Sequence, residues 1–149
     1  IETCGHTQWA VFLRLLPYLD HILFDIKHLD PEMHRTYTGL DNGLILSNVQ
    51  RLVAVGAPVT IRIPLVPGFN ATIESVTDIA HFVKGMKGAS DGAAEQIDLL
   101  PYHTLGRAKY KALGREYPWE GADRMADDEV QELAQAVRSL GFEVSVGGG

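Results

Sequence analysis

The 149 residues make a chain of one-domain length, with 46% apolar and 21% charged residues, the balance of a globular protein. Thirteen Lys and Arg against 19 Asp and Glu give a net charge of −6, which argues against general binding to nucleic acid or to an anionic membrane. No apolar run approaches the ~20 residues that span a bilayer, and the single cysteine, Cys4, excludes a disulfide framework and any thiolate-rich metal or cluster site within this chain.

The chain opens on Ile1-Glu2-Thr3-Cys4-Gly5, which reads as the end of a strand entering a turn. Ile1 is not an initiator Met, no signal peptide is visible, and the opening suggests the later part of a longer protein. Gln8 to Leu16 carries Trp9, Phe12, Leu13 and Leu16 at helical spacing, and Pro17 ends or kinks that helix. His21 to Ile26 holds the apolar run of a parallel strand buried on both faces. Pro31, capped by Asp30, starts a short helix that runs towards Tyr37 and stops at Gly39.

Asn42 to Val55 predicts a further helix with Leu46, Val49, Leu52 and Val53 on one side and Gly56 as its stop. Val59 to Val66 is a β-branched strand in which Pro64 removes a ladder donor. Thr72 caps the next helix, with Glu74 in its first turn, a stripe of Ile73, Val76, Ala80 and Val83, and Lys84 and Lys87 near its end. Gly88 to Gly92 is a loop, and Gln96 to Leu100 a buried strand ended by Pro101. Asp127 or Asp128 caps a final helix carrying Val130, Leu133, Val137 and Leu140, which Gly141 stops. Phe142, Val144 and Val146 alternate with Glu143 and Ser145, so the last strand has one wet face before the flexible glycines 147–149.

Strands separated by helices argue for an α/β fold with a parallel sheet and right-handed crossovers. Four or five strands are fewer than the ~250 residues of a closed eight-stranded barrel provide. Residues 1–149 are therefore expected to form a single incomplete barrel domain or a small open sheet.

In parallel α/β folds chemistry collects at the carboxyl ends of strands, so polar residues there are the candidates. Glu2 and Thr3 could hold a cation or an ammonium; capping the following turn is the alternative. Asp25 and Lys27 are two apart and share a face, for a charged ligand or for a mutual salt bridge. Arg62 lies between Ile61 and Ile63, where it grips a carboxylate or, on an edge strand, reaches water. His103, just past a strand end, donates to a ligand or is simply solvated. Arg107, Lys109, Lys111 and Arg115 form a basic patch, read as a solvated helix face or a docking surface for an acidic partner. Mixed charges at neighbouring strand ends suit a zwitterionic, amino-acid-like ligand. There is no glycine-rich phosphate loop and no Ser-centred nucleophile motif.

Glu2-Thr3-Cys4-Gly5, Phe24-Asp25-Ile26-Lys27, Ile61-Arg62-Ile63-Pro64-Leu65-Val66-Pro67-Gly68 and Leu99-Leu100-Pro101-Tyr102-His103-Thr104-Leu105-Gly106, followed by Lys109-Tyr110 and Leu113-Gly114, occur in this order. Together they resemble the later part of the glycyl-radical-enzyme activating enzymes of the pyruvate formate-lyase type, a branch of the radical S-adenosylmethionine superfamily. The resemblance implies a partial (β/α)6 barrel whose earlier strands carry a CxxxCxxC motif for a [4Fe-4S] cluster. It implies S-adenosylmethionine as cofactor, cleaved to a 5′-deoxyadenosyl radical that takes hydrogen from a backbone glycine of a partner glycyl radical enzyme. An electron donor such as flavodoxin, a cytoplasmic setting, and no membrane or nucleic-acid partner go with it.

Carried over residue by residue, Asp25, Ile26 and Lys27 match positions against the ligand's methionine part, and Arg62 and His103 match further ligand contacts. Glu2, Thr3, Asp25 and the Leu23 carbonyl match a monovalent-cation site, although the family more often has Asp where Glu2 stands. This chain departs from the family pattern in having no CxxxCxxC and no Gly-Gly-Glu segment, and Cys4 is misplaced for a cluster ligand. No catalytic residue is assigned within it, and the chain alone is expected to be inactive, with an exposed sheet edge. The competing readings are a barrel fragment that serves as a binding module, and an aldolase-like enzyme with Lys27 as amine nucleophile.

Overall fold

A computed structural model describes residues 1–86, 94–103, 106–116 and 124–147, without the side chains of 106 and 107. The expected loop at 88–92, Lys87, the last two glycines, Thr104, Leu105 and the side chain of Arg107 lie outside these.

The elements run β1 (Glu2–Thr3), α1 (Trp9–Leu15), β2 (Ile22–Asp25), α2 (Pro31–Thr38), α3 (Gly43–Ala54), β3 (Val59–Pro64), α4 (Ile73–Gly85), β4 (Gln96–Leu100), α5 (Gly106–Ala112), α6 (Asp127–Arg138) and β5 (Glu143–Val146). Among the described residues five strands form one sheet in chain order, every neighbouring pair parallel. The α/β parallel sheet expected from the sequence is present.

Residues side by side in a parallel sheet share a face. One face carries the row Thr3, Phe24, Ile61, Ile97 and Val144, flanked by Ile22 with Val59 and by Ile63 with Leu99 and Val146. The aliphatic and aromatic side chains of β2 to β4 in these rows are almost fully buried, and they form one core cluster with Val49, Leu52 and Val53 of α3, Val76, Ile79, Ala80 and Val83 of α4, and Leu133, Ala134 and Val137 of α6. Each such side chain contributes about 2 kcal/mol by leaving water, so this face decides the register.

Several boundaries differ from the sequence reading, each for a local reason. α1 ends at Leu15, and Pro17 sits in a 3-10 turn over Leu16–Tyr18. β2 is two residues shorter than expected. β3 ends at Pro64 because the Val66 N–H is captured by Asn70 Oδ1 at 2.7 Å instead of by a strand. α3 spans Gly43–Ala54, one residue shorter than expected at each end; Asn42 flanks it, its amide donating to the carbonyls of His28 and Leu29, both at 2.7 Å, while Asp41 Oδ1 accepts from Gly43 N at 3.1 Å. Ile73 is 46% exposed, because as the first helical residue it stands clear of the sheet, and Ile79 takes its place in the stripe. α6 begins at Asp127 with Ala126 as its flank; Glu129 reaches back to accept from Ala126 N at 3.2 Å, so neither Asp127 nor Asp128 is the cap. The caps at Asp30 and Thr72 form as expected, accepting from Glu32 and Met33 and from Ser75.

Candidate functional site

The opposite face of the sheet is polar where it should be, one residue out of phase with the core. Leu23 and Thr60 lie beside Glu2, and the next row towards the carboxyl ends reads Asp25, Arg62, Asp98 and Ser145 across four adjacent strands. A row of charged residues across the middle of a sheet is costly to desolvate and gives no core packing, so it is the candidate site.

The charges are closely knit. Arg62 Nη2 donates to Glu2 Oε1 at 2.7 Å, Arg62 Nε stands 3.3 Å from Asp25 Oδ1, and Lys27 Nζ lies 3.3 Å from Asp25 Oδ2. The Arg62 side chain is 13% exposed and that of Asp25 17%, which rules out the edge-strand reading of Arg62: β3 is the central strand. Burial works against the charged guanidinium, but the hydrogen bond to Glu2 and the fields of Asp25, Glu2 and Asp98 outweigh it, so Arg62 is held above its ordinary pKa. The same hydrogen bond and charge lower the pKa of the Glu2 carboxyl.

Asp98 is 3% exposed. Its Oδ1 accepts from Gln96 Nε2 at 2.8 Å and from Ser145 Oγ at 2.7 Å. Neither Asp98 nor Gln96 nor Ser145 was singled out by the sequence. The signal was there: Gln96-Ile97-Asp98-Leu99 alternates polar and apolar residues inside a run read as buried on both faces. The wet face expected for β5 is in part this polar face, since Ser145 serves Asp98.

Buried asparagines fix the loops at this end of the sheet. Asn70, fully buried, donates to the carbonyls of Lys27 at 2.7 Å and Pro64 at 2.8 Å, and so ties the end of β2 to the end of β3. Asn48, from α3, donates to the carbonyls of Gly5 and Thr7 in the loop after β1. Gly5 has φ +70°, and a Cβ there would sit 2.3 Å from Cζ of Phe24; only glycine lets this turn close over the core.

The remaining predicted residues are placed as follows. Thr3 belongs by register to the Phe24 row, on the face opposite Glu2, and its Oγ1 accepts from Gly5 N at 2.9 Å, the turn-capping alternative. Ile26 is a core side chain at 1% exposure, and its backbone N–H donates to the Arg62 carbonyl at 2.9 Å. His103 is exposed just past β4 and lines a cavity of about 440 Å³ with Tyr102, Arg124, Asp127 and Gln131. Short ionic contacts join Glu2, Asp25, Lys27 and Arg62 into one cluster. Lys109, Lys111 and Arg115 are exposed on and just after α5.

Two buried atoms of the cluster, Asp25 Oδ1 and Arg62 Nε, have no hydrogen-bond partner among the described residues; at 3.3 Å from each other they are close enough to attract but out of line to bond. One is an acceptor suited to an ammonium and the other a donor suited to a carboxylate. The donor set therefore fits an α-amino acid headgroup, such as that of S-adenosylmethionine. It does not fit an iron–sulfur cluster: the sequence has one cysteine, and among the described residues no three His, Cys, Asp or Glu side chains are placed to hold a metal ion. Among the same residues no helix is long and apolar enough to cross a membrane.

No protein-family model matches the chain. It is 37% identical over 146 residues to the choline trimethylamine-lyase activating enzyme of Oleidesulfovibrio alaskensis, covering 98% of this chain and 46% of that protein. It is 32% identical over 148 residues to the trans-4-hydroxy-L-proline dehydratase activating enzyme of Clostridioides difficile, covering 99% and 48%. The chain thus spans about half the length of the curated relatives it matches. Its fold is that of a crystallised domain of pyruvate-formate lyase-activating enzyme from Bacteroides vulgatus, with a TM-score of 0.78 at 24% identity over 99% of this chain and 79% of that one.

Proposed function

We propose, from the homology of this chain to the glycyl-radical-enzyme activating enzymes over nearly its whole length, that it is the ligand-holding half of such an enzyme. The observation that carries this reading is the unbonded pair Asp25 Oδ1 and Arg62 Nε, buried in a charged row at the carboxyl ends of the strands.

In this reading the in-order parallel sheet is part of a partial (β/α)6 barrel, and its polar face is the barrel interior. Arg62 grips the carboxylate of S-adenosylmethionine, and Asp25 accepts from its ammonium group. Lys27 and Glu2 keep those two side chains charged and aimed. The rigid loops held by Asn48 and Asn70 keep the ligand's place fixed while water is excluded. A monovalent cation beside Glu2, Asp25 and the Leu23 carbonyl belongs to the same reading, and Glu2 then divides its carboxylate between that cation and Arg62; the Thr3 side chain, on the opposite face and bonded to Gly5 N, does not join it. His103 and Ile26 contribute at the rim, His103 through its ring and Ile26 through its backbone.

S-adenosylmethionine supplies, beside a cluster whose thiolates lie outside this chain, a carbon radical able to take hydrogen from a backbone glycine. The partner is a glycyl radical enzyme, of the pyruvate formate-lyase type or one of the other lyases and dehydratases whose activators this chain resembles. The electron comes from a donor such as flavodoxin, in the cytoplasm.

The test is anaerobic iron–sulfur reconstitution of the full-length protein that carries this chain, followed by reduction with S-adenosylmethionine present. Formation of 5′-deoxyadenosine is expected. A colourless protein that forms none would overturn the reading and leave the binding-module alternative.

A further inference from the structure

The charged row is not electrically balanced. Glu2, Asp25 and Asp98 face Lys27 and Arg62, three carboxylates against two cationic heads. Both cationic heads are spoken for: Lys27 by Asp25, and Arg62 by Glu2 and Asp25. Asp98 is different. It is the most deeply buried carboxylate of the row at 3% exposure, and its bonds come from the neutral donors Gln96 and Ser145. Among the described residues it forms no ion pair. The other carboxylate on this face, Glu143, is exposed one row towards the amino ends, where solvent screens it.

A buried carboxylate without a cation of its own is expensive unless something positive arrives. Asp98 is the cross-strand partner of Arg62, and its field helps keep that guanidinium charged. Arg62 leans the other way, to Glu2 and Asp25, so it makes no ion-pair contact with Asp98 among the described residues and part of the negative field of Asp98 reaches the open face. S-adenosylmethionine carries a sulfonium and an ammonium against one carboxylate, a net charge of one positive unit. Its demethylated product, S-adenosylhomocysteine, has the same headgroup and a neutral sulfur.

We propose that Asp98, held by Gln96 and Ser145, is a specificity-determining residue that favours the sulfonium ligand over its neutral thioether. This rests on the S-adenosylmethionine reading given above. It adds to that reading a role for a carboxylate that the headgroup itself does not need.

The experiment is equilibrium titration of both ligands into the oxidised, cluster-loaded full-length protein, where neither ligand is consumed. Asp98→Asn keeps the shape and the acceptor for Gln96 and Ser145 but removes the charge. It is expected to cut the preference for S-adenosylmethionine over S-adenosylhomocysteine by about tenfold, with the affinity for the thioether within about twofold of the parent. Asp98→Glu, which retains the charge, keeps most of the preference. An unchanged preference in Asp98→Asn overturns the proposal, and so does an equal loss for both ligands, which marks Asp98 as structural. If Asp98→Asn does not fold, the proposal stands or falls on Asp98→Ser, a smaller neutral side chain, which must lower the preference and leave thioether affinity in place. Binding of neither ligand to the parent protein would instead overturn the S-adenosylmethionine reading itself.

Discussion

Arg62 on β3 reaches across the whole of β2 to place Nη2 2.7 Å from Glu2 Oε1 on β1. One long side chain thus laces three strands together on the face that carries no apolar core. It passes Asp25 on the way, at 3.3 Å from Nε. Removing Arg62 leaves Asp25 with Lys27 alone. Arg62→Ala should therefore cost about 2 kcal/mol of stability, less than a fully buried pair because Glu2 is exposed. Urea unfolding near pH 7 reads this directly, and Arg62→Lys should recover only part of it, since an ammonium cannot serve Glu2 and Asp25 at once.

The Glu2 contact also predicts a pH dependence. A carboxyl with a lowered folded pKa contributes stability that is present above the unfolded value, near 4.3 for glutamate, and lost as pH falls through the folded one. The difference in melting temperature between the parent chain and Glu2→Gln should be present at pH 6 and shrink as pH falls below about 4. A difference that grows on acidification would show that Arg62 does not hold Glu2 in solution.

Asn70 joins the strand that bears Asp25 and Lys27 to the strand that bears Arg62. Asn70→Ala leaves two carbonyls and the Val66 N–H without their partners, a cost of about 3 kcal/mol. Leu133→Ala in α6 is the control: a core cavity of similar cost on a helix that contributes none of Glu2, Asp25, Lys27 and Arg62. At matched fraction folded, Asn70→Ala should weaken S-adenosylmethionine binding in the full-length protein and Leu133→Ala should not.

Gly5→Ala should be poorly tolerated. The new methyl group would overlap the Phe24 ring at 2.3 Å, at a backbone φ of +70° that alanine resists. A loss of about 3 kcal/mol in denaturant unfolding is expected. Gly39→Ala, also at positive φ but with open space around it, should lose about 1 kcal/mol.

The sequence revealed the scaffold more readily than the site. Parallel strands betray themselves by β-branched runs such as Val59 to Ile63, and helices by caps such as Asp30-Pro31 and Thr72. Asp25, Lys27 and Arg62 stood out because a charge inside an apolar strand has few structural uses. Asp98 is hidden in the sequence because Gln96 to Leu100 reads as one buried strand. The pairing of Arg62 with Glu2 was not legible at all, since it depends on register across a strand that lies between them. Asn70, Asn48 and Asn42 look like ordinary loop and helix polar residues; only the fold shows that their amides hold the carbonyls of other segments.

The most direct test is a crystal structure of the cluster-loaded full-length protein with S-adenosylmethionine. The ligand's amino and carboxylate groups are predicted to lie against Asp25 and Arg62, on the sheet face that carries Asp98. A ligand seated elsewhere, with Asp25 and Arg62 still paired only with Lys27, Glu2 and each other, would contradict the account.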